Sequence, residues 1–177
     1  MEENETYSRE DLKKYNLPKW NEIPDIELYI DQVVSYLEKY LKIYFDNDSA
    51  FSPQIVTKTM INNYVKHHVI KPPVAKKYGR EHIAYLFVIF ILKQIYSIED
   101  IKKLLKLAIH TSSIEDSYDN FCSALELSIL TTFSKKSPLV GSSLTPEQYL
   151  LRNTTLSFAN KLYVQKTFLR NNNSNIK

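Results

Sequence analysis

The sequence predicts an all-α fold with at most a minimal two-stranded wing, on the basis of three observations. The 177 residues include only 2 glycines, whereas an average usage of ~7% would give about 12. Because glycine supplies the turns of tight hairpins and phosphate-cradling loops, this scarcity disfavours P-loop and dinucleotide-binding folds. Apolar residues recur at steps of three and four along most of the chain. Ser and Thr also stand where helices would need a cap.

The composition bounds the class of protein. Hydrophobic residues make up 44% of the chain, which is enough for a packed core. Cys122 is the single cysteine, so no internal disulfide can form, as is typical of a reducing compartment. The N-terminus is polar and lacks the apolar stretch of a signal peptide, and the longest apolar run, Ile83–Leu92, is too short to cross a bilayer. We therefore expect a cytoplasmic protein with no membrane contact.

The charge is distributed unevenly. Residues 1–50 carry 12 acidic and 6 basic side chains, a net charge of −6, and residues 51–177 carry 8 and 17, a net charge of +9. Between Thr57 and His82 the basic residues are Lys58, Lys66, Lys71, Lys76, Lys77 and Arg80, against Glu81 alone. This pattern is typical of a protein that contacts a polyanion through one face, and equally of a solvated lysine-rich loop.

The first half of the chain predicts two helices. After a polar segment at 1–22, with one short helix near Ser8–Tyr15, an amphipathic helix follows Pro24 and ends at the sequence DNDSAFSP. Its apolar positions are Ile26, Ile30, Val33, Leu37, Leu41 and Tyr44. A second helix, 57–68, begins with Thr57 as its cap and is ended by Pro72. Its inward positions would be Ile61, Tyr64 and Val65.

The outward face of helix 57–68 is unusual. It consists of Thr59, Asn62, Asn63, Lys66 and His67. Asn and Thr are poor helix formers, and both can contact base edges in the major groove of DNA. An equally good interpretation is an exposed helix face on which Asn and Thr contact nothing and are simply tolerated. The loop 71–80 is basic and short, and it is predicted to form the wing.

Helix 81–96 is apolar on nearly every side, which predicts the central core element. Ser97 and Asp100 then form a capping box for a short helix whose buried stripe would be Ile101, Leu104, Leu105 and Ala108. Together these elements predict one domain at 23–110.

Residues 111–170 predict a helical extension. Ser113 with Asp116 begins one helix, and Thr145-Pro146 begins another after the linker SKKSPLVGSSL. The first stripe is Tyr118, Phe121, Cys122, Leu125, Ile129 and Phe133, and the second is Leu151, Thr155, Phe158, Leu162, Gln165 and Leu169. The second stripe could pack within the chain or pair with a second copy as a homodimer. The tail 171–177 is predicted to be disordered.

Residues 56–106 resemble the MerR-type winged helix-turn-helix regulators. The matching residues are Val56 to Tyr64, then Val69-Ile70-Lys71-Pro72, Lys77-Tyr78, and Ser97 to Leu105. Asn62 stands where those proteins commonly have Arg, Asn63 replaces the first of their paired Tyr residues, and His68 replaces a Gly. The resemblance implies a DNA-binding regulator. It also implies that the phosphate contact of the usual Arg is lost at position 62. Most of residues 20–135 also resemble a family of bacterial proteins known only as a domain of unknown function.

These patterns predict a DNA-binding transcriptional regulator that acts on double-stranded DNA. The predicted contact residues are Thr57, Lys58, Thr59, Asn62, Asn63, Tyr64, Lys66 and His67 of the helix, and Lys71, Lys76, Lys77, Tyr78 and Arg80 of the wing. The alternative is a helical protein-interaction module that keeps the winged fold without DNA binding. We expect no catalysis, no cofactor and no metal, because the four histidines are not spaced as a chelate and Cys122 lies on an apolar stripe.

Overall fold

The computed structural model describes residues 7–45, 54–135 and 144–169. The α-helices in this part are α1 (Arg9–Leu12), α2 (Ile30–Leu41), α3 (Lys58–Lys66), α4 (Arg80–Leu92), α5 (Ile98–Thr111), α6 (Ile114–Phe133) and α7 (Pro146–Val164). Short 3₁₀ turns at Trp20–Glu22 and Lys42–Tyr44 and a π-helical turn at Gln165–Leu169 accompany them. Two short strands, β1 (Leu28–Tyr29) and β2 (Lys77–Tyr78), form one antiparallel sheet. The predicted all-α fold with a minimal two-stranded sheet is confirmed.

The chain divides into two compact units. One unit comprises residues 17–122 and the other comprises residues 1–16 with 123–177, so that α6 contributes to both. The first unit contains α2 to α5 and the sheet. A separate domain at 23–110 stays a prediction.

The prediction that the first long helix starts directly after Pro24 is wrong. That helix begins at Ile30, because Leu28 and Tyr29 pair as a strand with Tyr78 and Lys77. The Tyr29 backbone N–H donates to Oε1 of Gln32 over 2.9 Å, which caps the first turn. Ile26 is 68% exposed, whereas the predicted positions Val33, Leu37, Leu41 and Tyr44 are buried.

The wing differs in detail from the prediction. Within 71–80 there is a single bridge, from Val74 to Lys77, and the true partner of β2 is β1, far away in the sequence. The Lys77 N–H donates to the Val74 carbonyl over 2.8 Å. Ala75 and Lys76 between them have φ values of 49° and 65°. Positive φ at both central residues is the mark of a type I′ hairpin turn, which usually contains Asn-Gly.

Helix α3 ends at Lys66, two residues before the predicted end at residue 68, because His68 adopts a left-handed conformation with φ 54°. The His68 N–H donates to the Val65 carbonyl over 3.0 Å, and the Val69 N–H donates to the Tyr64 carbonyl over 2.8 Å. This pair of bonds is the Schellman motif, in which glycine usually holds the left-handed position.

Helix α4 is the centre of the 17–122 unit, as predicted, although it ends at Leu92. Nine of its 13 residues are buried. Phe87 meets the rings of Tyr36 and Tyr40 edge to face, and Phe90 meets Tyr64 in the same way. Helix α5 begins at its predicted cap, since the Asp100 N–H donates to Ser97 Oγ over 3.2 Å. Its predicted stripe is only partly correct: Ile101 is buried, and Leu104, Leu105 and Ala108 are half-buried.

All six predicted stripe residues of α6 are buried. The hydroxyl of Tyr118 donates to the Pro18 carbonyl over 2.8 Å, and burial raises the pKa of this phenol above its ordinary value. Ser113 caps α6 and Thr145 caps α7 as predicted, through the N–H groups of Asp116 and Gln148.

In the other unit, Ser128 on α6 is hydrogen-bonded to Thr155 on α7 over 2.9 Å. The predicted positions Thr155, Phe158 and Leu162 are buried, whereas Gln165 and Leu169 are exposed. The turn DNDSAFSP, most of the linker SKKSPLVGSSL and the tail 171–177 lie outside the described residues. Among the helices that the structure describes, none combines the length and hydropathy needed to cross a membrane.

We expect His68→Gly to raise the free energy of unfolding by roughly 1 kcal/mol, because glycine adopts positive φ without a Cβ penalty. His67→Gly is the matched control, since His67 has φ −87° and no such strain. This control should lower stability, by up to about 1 kcal/mol, because glycine adds chain entropy to the unfolded state. Urea unfolding of both variants would measure the difference, and equal effects would contradict the left-handed helix end.

Candidate nucleic-acid interface

Helix α3 presents a polar face to solvent. Ile61 and Tyr64 are buried on its inner side. The predicted outward residues Lys58, Thr59, Asn62, Asn63, Lys66 and His67 are all exposed. The helix contains no acidic residue, and a lysine stands at each end. The face therefore combines hydrogen-bonding side chains in the middle with positive charge at both ends.

The N-terminus of α3 is capped as predicted. The Met60 N–H donates to Oγ1 of Thr57 over 3.1 Å. Lys58 forms an ion pair with Asp31 on α2, and both side chains are largely exposed. Exposed pairs of this kind contribute at most about 1 kcal/mol and are screened by salt. A phosphate that approached the positive end of the α3 dipole could therefore displace Asp31 from Lys58.

The hairpin turn and its flanks carry the basic residues of the predicted wing. Lys76 occupies the second turn position and is exposed. Lys77 lies on the sheet, and its ammonium is 5.6 Å from the centre of the Tyr29 ring. Lys71 precedes the turn and pairs with Glu81 over 3.2 Å, with 77% of the Lys71 side chain exposed. The ammonium groups of the predicted wing thus remain accessible to a polyanion.

Arg80 occupies a different setting from the other basic residues of the predicted wing. Its guanidinium lies 3.3 Å from Asp25 and 5.7 Å from the Trp20 ring centre, and the side chain is only 23% exposed. Its Nε is buried without a hydrogen-bond partner among the described residues. These contacts hold the guanidinium within the protein and favour a structural role for Arg80, and its predicted phosphate contact stays a prediction.

Tyr64 and Tyr78 are buried in the core of the 17–122 unit. Burial raises the pKa of each phenol, so both remain neutral at physiological pH. Tyr64 packs edge to face on Phe90, which agrees with its predicted role as an anchor of α3. Tyr78 packs edge to face on His82, and we remove it from the predicted contact residues because its side chain does not reach solvent.

Lys102 was missed by the sequence analysis. Its ammonium donates to the His67 carbonyl at the C-terminus of α3 over 3.2 Å. A cation at this end complements the negative end of the helix dipole and satisfies a free carbonyl. The spacing around Lys102 indicated only an amphipathic helix, and no local pattern connects residues 67 and 102. This contact places α5 beside α3.

Other kinds of site in the described part of the chain would be a metal site, a reactive cysteine or a ligand groove. This part contains no group of three or more His, Cys, Asp or Glu side chains that could hold a metal ion. Cys122 is buried. An open groove of about 510 Å³ near β1 is lined by the apolar residues Pro24, Ile26 and Leu28 and by Asp31, Gln32, Ser35 and Tyr36.

The comparisons with known proteins bear on the 17–122 unit. The family model described as Domain of unknown function (DUF1836) matches residues 18–121, and the chain belongs to this family. The match covers α2 to α5, the sheet and the first part of α6. The predicted membership of such a family is confirmed. No curated protein and no solved structure matches the chain. The MerR-type resemblance therefore rests on the sequence pattern alone.

We expect Arg80→Ala to lower the free energy of unfolding by about 1–2 kcal/mol, because it removes a cation–π contact and the packing of the arginine stem. Lys76→Ala, at an exposed position, should change stability by no more than about 0.5 kcal/mol. The fluorescence of Trp20, the single tryptophan, reports unfolding directly in urea titrations. Equal stability of the two variants would return Arg80 to the set of free basic residues.

Proposed function

We propose that this protein is a DNA-binding transcriptional regulator that inserts the exposed face of α3 into the major groove of double-stranded DNA. The observation that carries the proposal is the composition of that face. Thr59, Asn62 and Asn63 are exposed, and Lys58 and Lys66 flank them. Asn can bond the adenine edge through two hydrogen bonds, and lysine neutralises phosphate charge.

The order of elements supports the same proposal. A strand and α2 precede α3, and a hairpin turn, β2 and α4 follow it. In helix-turn-helix proteins the first helix crosses the DNA backbone while the second enters the groove. By this analogy α2 supports α3, and the turn at Ala75-Lys76 forms the wing. The MerR-type resemblance of residues 56–106 assigns the same roles to the same elements.

The phosphate contacts are proposed for the accessible ammonium groups Lys66, Lys71, Lys76 and Lys77. Lys58 would join them after exchanging Asp31 for a phosphate. Asn62 lacks the positive charge that MerR-type proteins commonly have at this position, so base contacts and wing contacts carry a larger share of the affinity. We place the activity in the cytoplasm, and a homodimer through the C-terminal helices stays a prediction.

A second candidate is a protein-interaction module that keeps the winged fold without DNA binding. The observation that favours this module is that carboxylates of the protein itself neutralise part of the basic surface. Three of the six basic residues in the 58–80 segment, Lys58, Lys71 and Arg80, already pair with carboxylates of Asp31, Glu81 and Asp25. A surface neutralised in this way attracts polyanions less strongly.

Salt dependence separates the two candidates. If Lys66, Lys71, Lys76 and Lys77 each contact a phosphate, log K should fall with log salt at a slope of about −3.6, and each further contact, such as that of Lys58, steepens the slope by about 0.9. Binding to a random duplex pool should then weaken on the order of 100-fold between ~50 and ~200 mM salt. Fluorescence anisotropy at several salt concentrations measures the slope. Absence of binding at low salt would contradict the DNA proposal and favour the interaction module.

The hairpin turn allows a matched pair of variants. Ala75→Gly and Lys76→Gly both relieve a left-handed residue, so each should raise the free energy of unfolding by roughly 1 kcal/mol. Only Lys76→Gly removes a charge. We expect it to reduce DNA affinity several-fold and the salt slope by about 0.9, whereas Ala75→Gly leaves both unchanged. Equal DNA binding by the two variants would exclude Lys76 from the interface.

A further inference from the structure

Helix α5 carries a row of basic side chains that the proposed interface does not include. Lys102, Lys106 and His110 are spaced by four residues, so they lie along one side of the helix. The buried residue of α5, Ile101, lies about 140° around the helix from Lys106 and about 180° from His110, and about 100° from Lys102. Lys106 and His110 are exposed, and the Lys102 side chain is 27% exposed.

The basic row of α5 begins beside the C-terminus of α3. The hydrogen bond from Lys102 to the His67 carbonyl fixes this position. The opposite end of α3 lies near the wing sheet, because Lys58 pairs with Asp31, two residues after Tyr29, and Tyr29 pairs with Lys77 in the sheet. Lys77 of the wing sheet and the basic residues of α5 therefore lie towards opposite ends of α3.

The length of α3, which separates the two sets of basic residues, is close to the width of the major groove. Nine residues of α-helix extend about 13.5 Å, and the major groove of B-DNA is about 12 Å wide. A helix of this length that lies across the groove brings one end near each phosphate backbone. Basic groups at both ends can then neutralise the two strands together.

We infer that the basic row of α5, formed by Lys102, Lys106 and His110, is a second phosphate-binding surface that contacts the DNA strand opposite the one held by the wing. This inference rests on the proposed DNA-binding function and extends its interface by one helix. Its partner is the sugar-phosphate backbone of the same duplex, recognised by charge and without sequence readout.

The acidic residues of α5 leave most of this row accessible. Glu99 lies 4.0 Å from Lys102, and Asp100 lies 3.2 Å from Lys103. Both carboxylates are in the first turn, where they complement the positive end of the helix dipole. Lys106 lies one turn further on and has no carboxylate partner within the part of the chain that the structure describes.

Lys106→Glu in the full chain tests the inference. The control is Lys93→Glu, which makes the same charge change at an exposed position just after α4, outside the proposed interface. Anisotropy with a random duplex pool should show Lys106→Glu weakening binding about tenfold or more at ~50 mM salt, with a salt slope smaller by about 1. The control should bind within about twofold of the wild type.

The outcomes separate the inference from the function on which it rests. If the wild type binds DNA, and Lys106→Glu and Lys93→Glu behave alike, the α5 surface is overturned while the α3 interface stands. If the wild type does not bind at low salt, the proposed function and the inference both fail. Trp20 emission and helical circular dichroism confirm folding, and Lys106→Gln replaces Lys106→Glu if the charge reversal unfolds the chain. A loss of affinity confined to the Lys106 variants supports the inference.

Discussion

Burial of α4 on almost every side is the constraint on which the rest of the 17–122 unit depends. Nine of 13 residues are buried in this helix, and a helix without a solvent face needs neighbours all round it. Elements α2 and β2 pack against it, and Phe90 supports Tyr64 on the inner side of α3. Since the inner side of α3 is fixed in this way, its Asn and Lys residues must face outward.

The scarcity of glycine has a structural consequence. His68, Ala75 and Lys76 adopt positive φ at the end of α3 and in the hairpin turn, where glycine or asparagine is usual. Each such residue costs on the order of 1 kcal/mol, which is appreciable against a total stability of ~5–15 kcal/mol. The surrounding core must hold these turns in place, and both turns flank the proposed DNA contact.

Features set by neighbouring residues could be predicted from the sequence. The caps at Thr57, Ser97 and Thr145 depend on contacts three residues away, so the local pattern is sufficient. The buried stripe of α6 was predicted correctly because its apolar spacing continues without interruption. The start of α2 could not be predicted in this way, because Ile26 continues the helical spacing of α2 although β1 intervenes.

Features set by distant residues could not be predicted. The pairing of β1 with β2 joins residues 28 and 78, and the strands are too short to show an alternating pattern. The turn at Ala75-Lys76 lacks the Asn-Gly signal of its type. In the candidate site, the exposed residues of α3 followed from helical periodicity. The burial of Tyr78, the contacts of Arg80 with Trp20, and the bond from Lys102 to His67 required the tertiary structure.

Amide hydrogen exchange, measured without and with duplex DNA, tests most directly whether a buried α4 supports an exposed DNA-contacting α3. In the free protein we expect the α4 amides to exchange slowest in the 17–122 unit, through global unfolding, and those of α3 and the hairpin turn to exchange faster. DNA should slow exchange in α3 and around residues 74–77 while leaving α4 unchanged. Fast exchange in α4, or no effect of bound DNA on α3, would contradict this account.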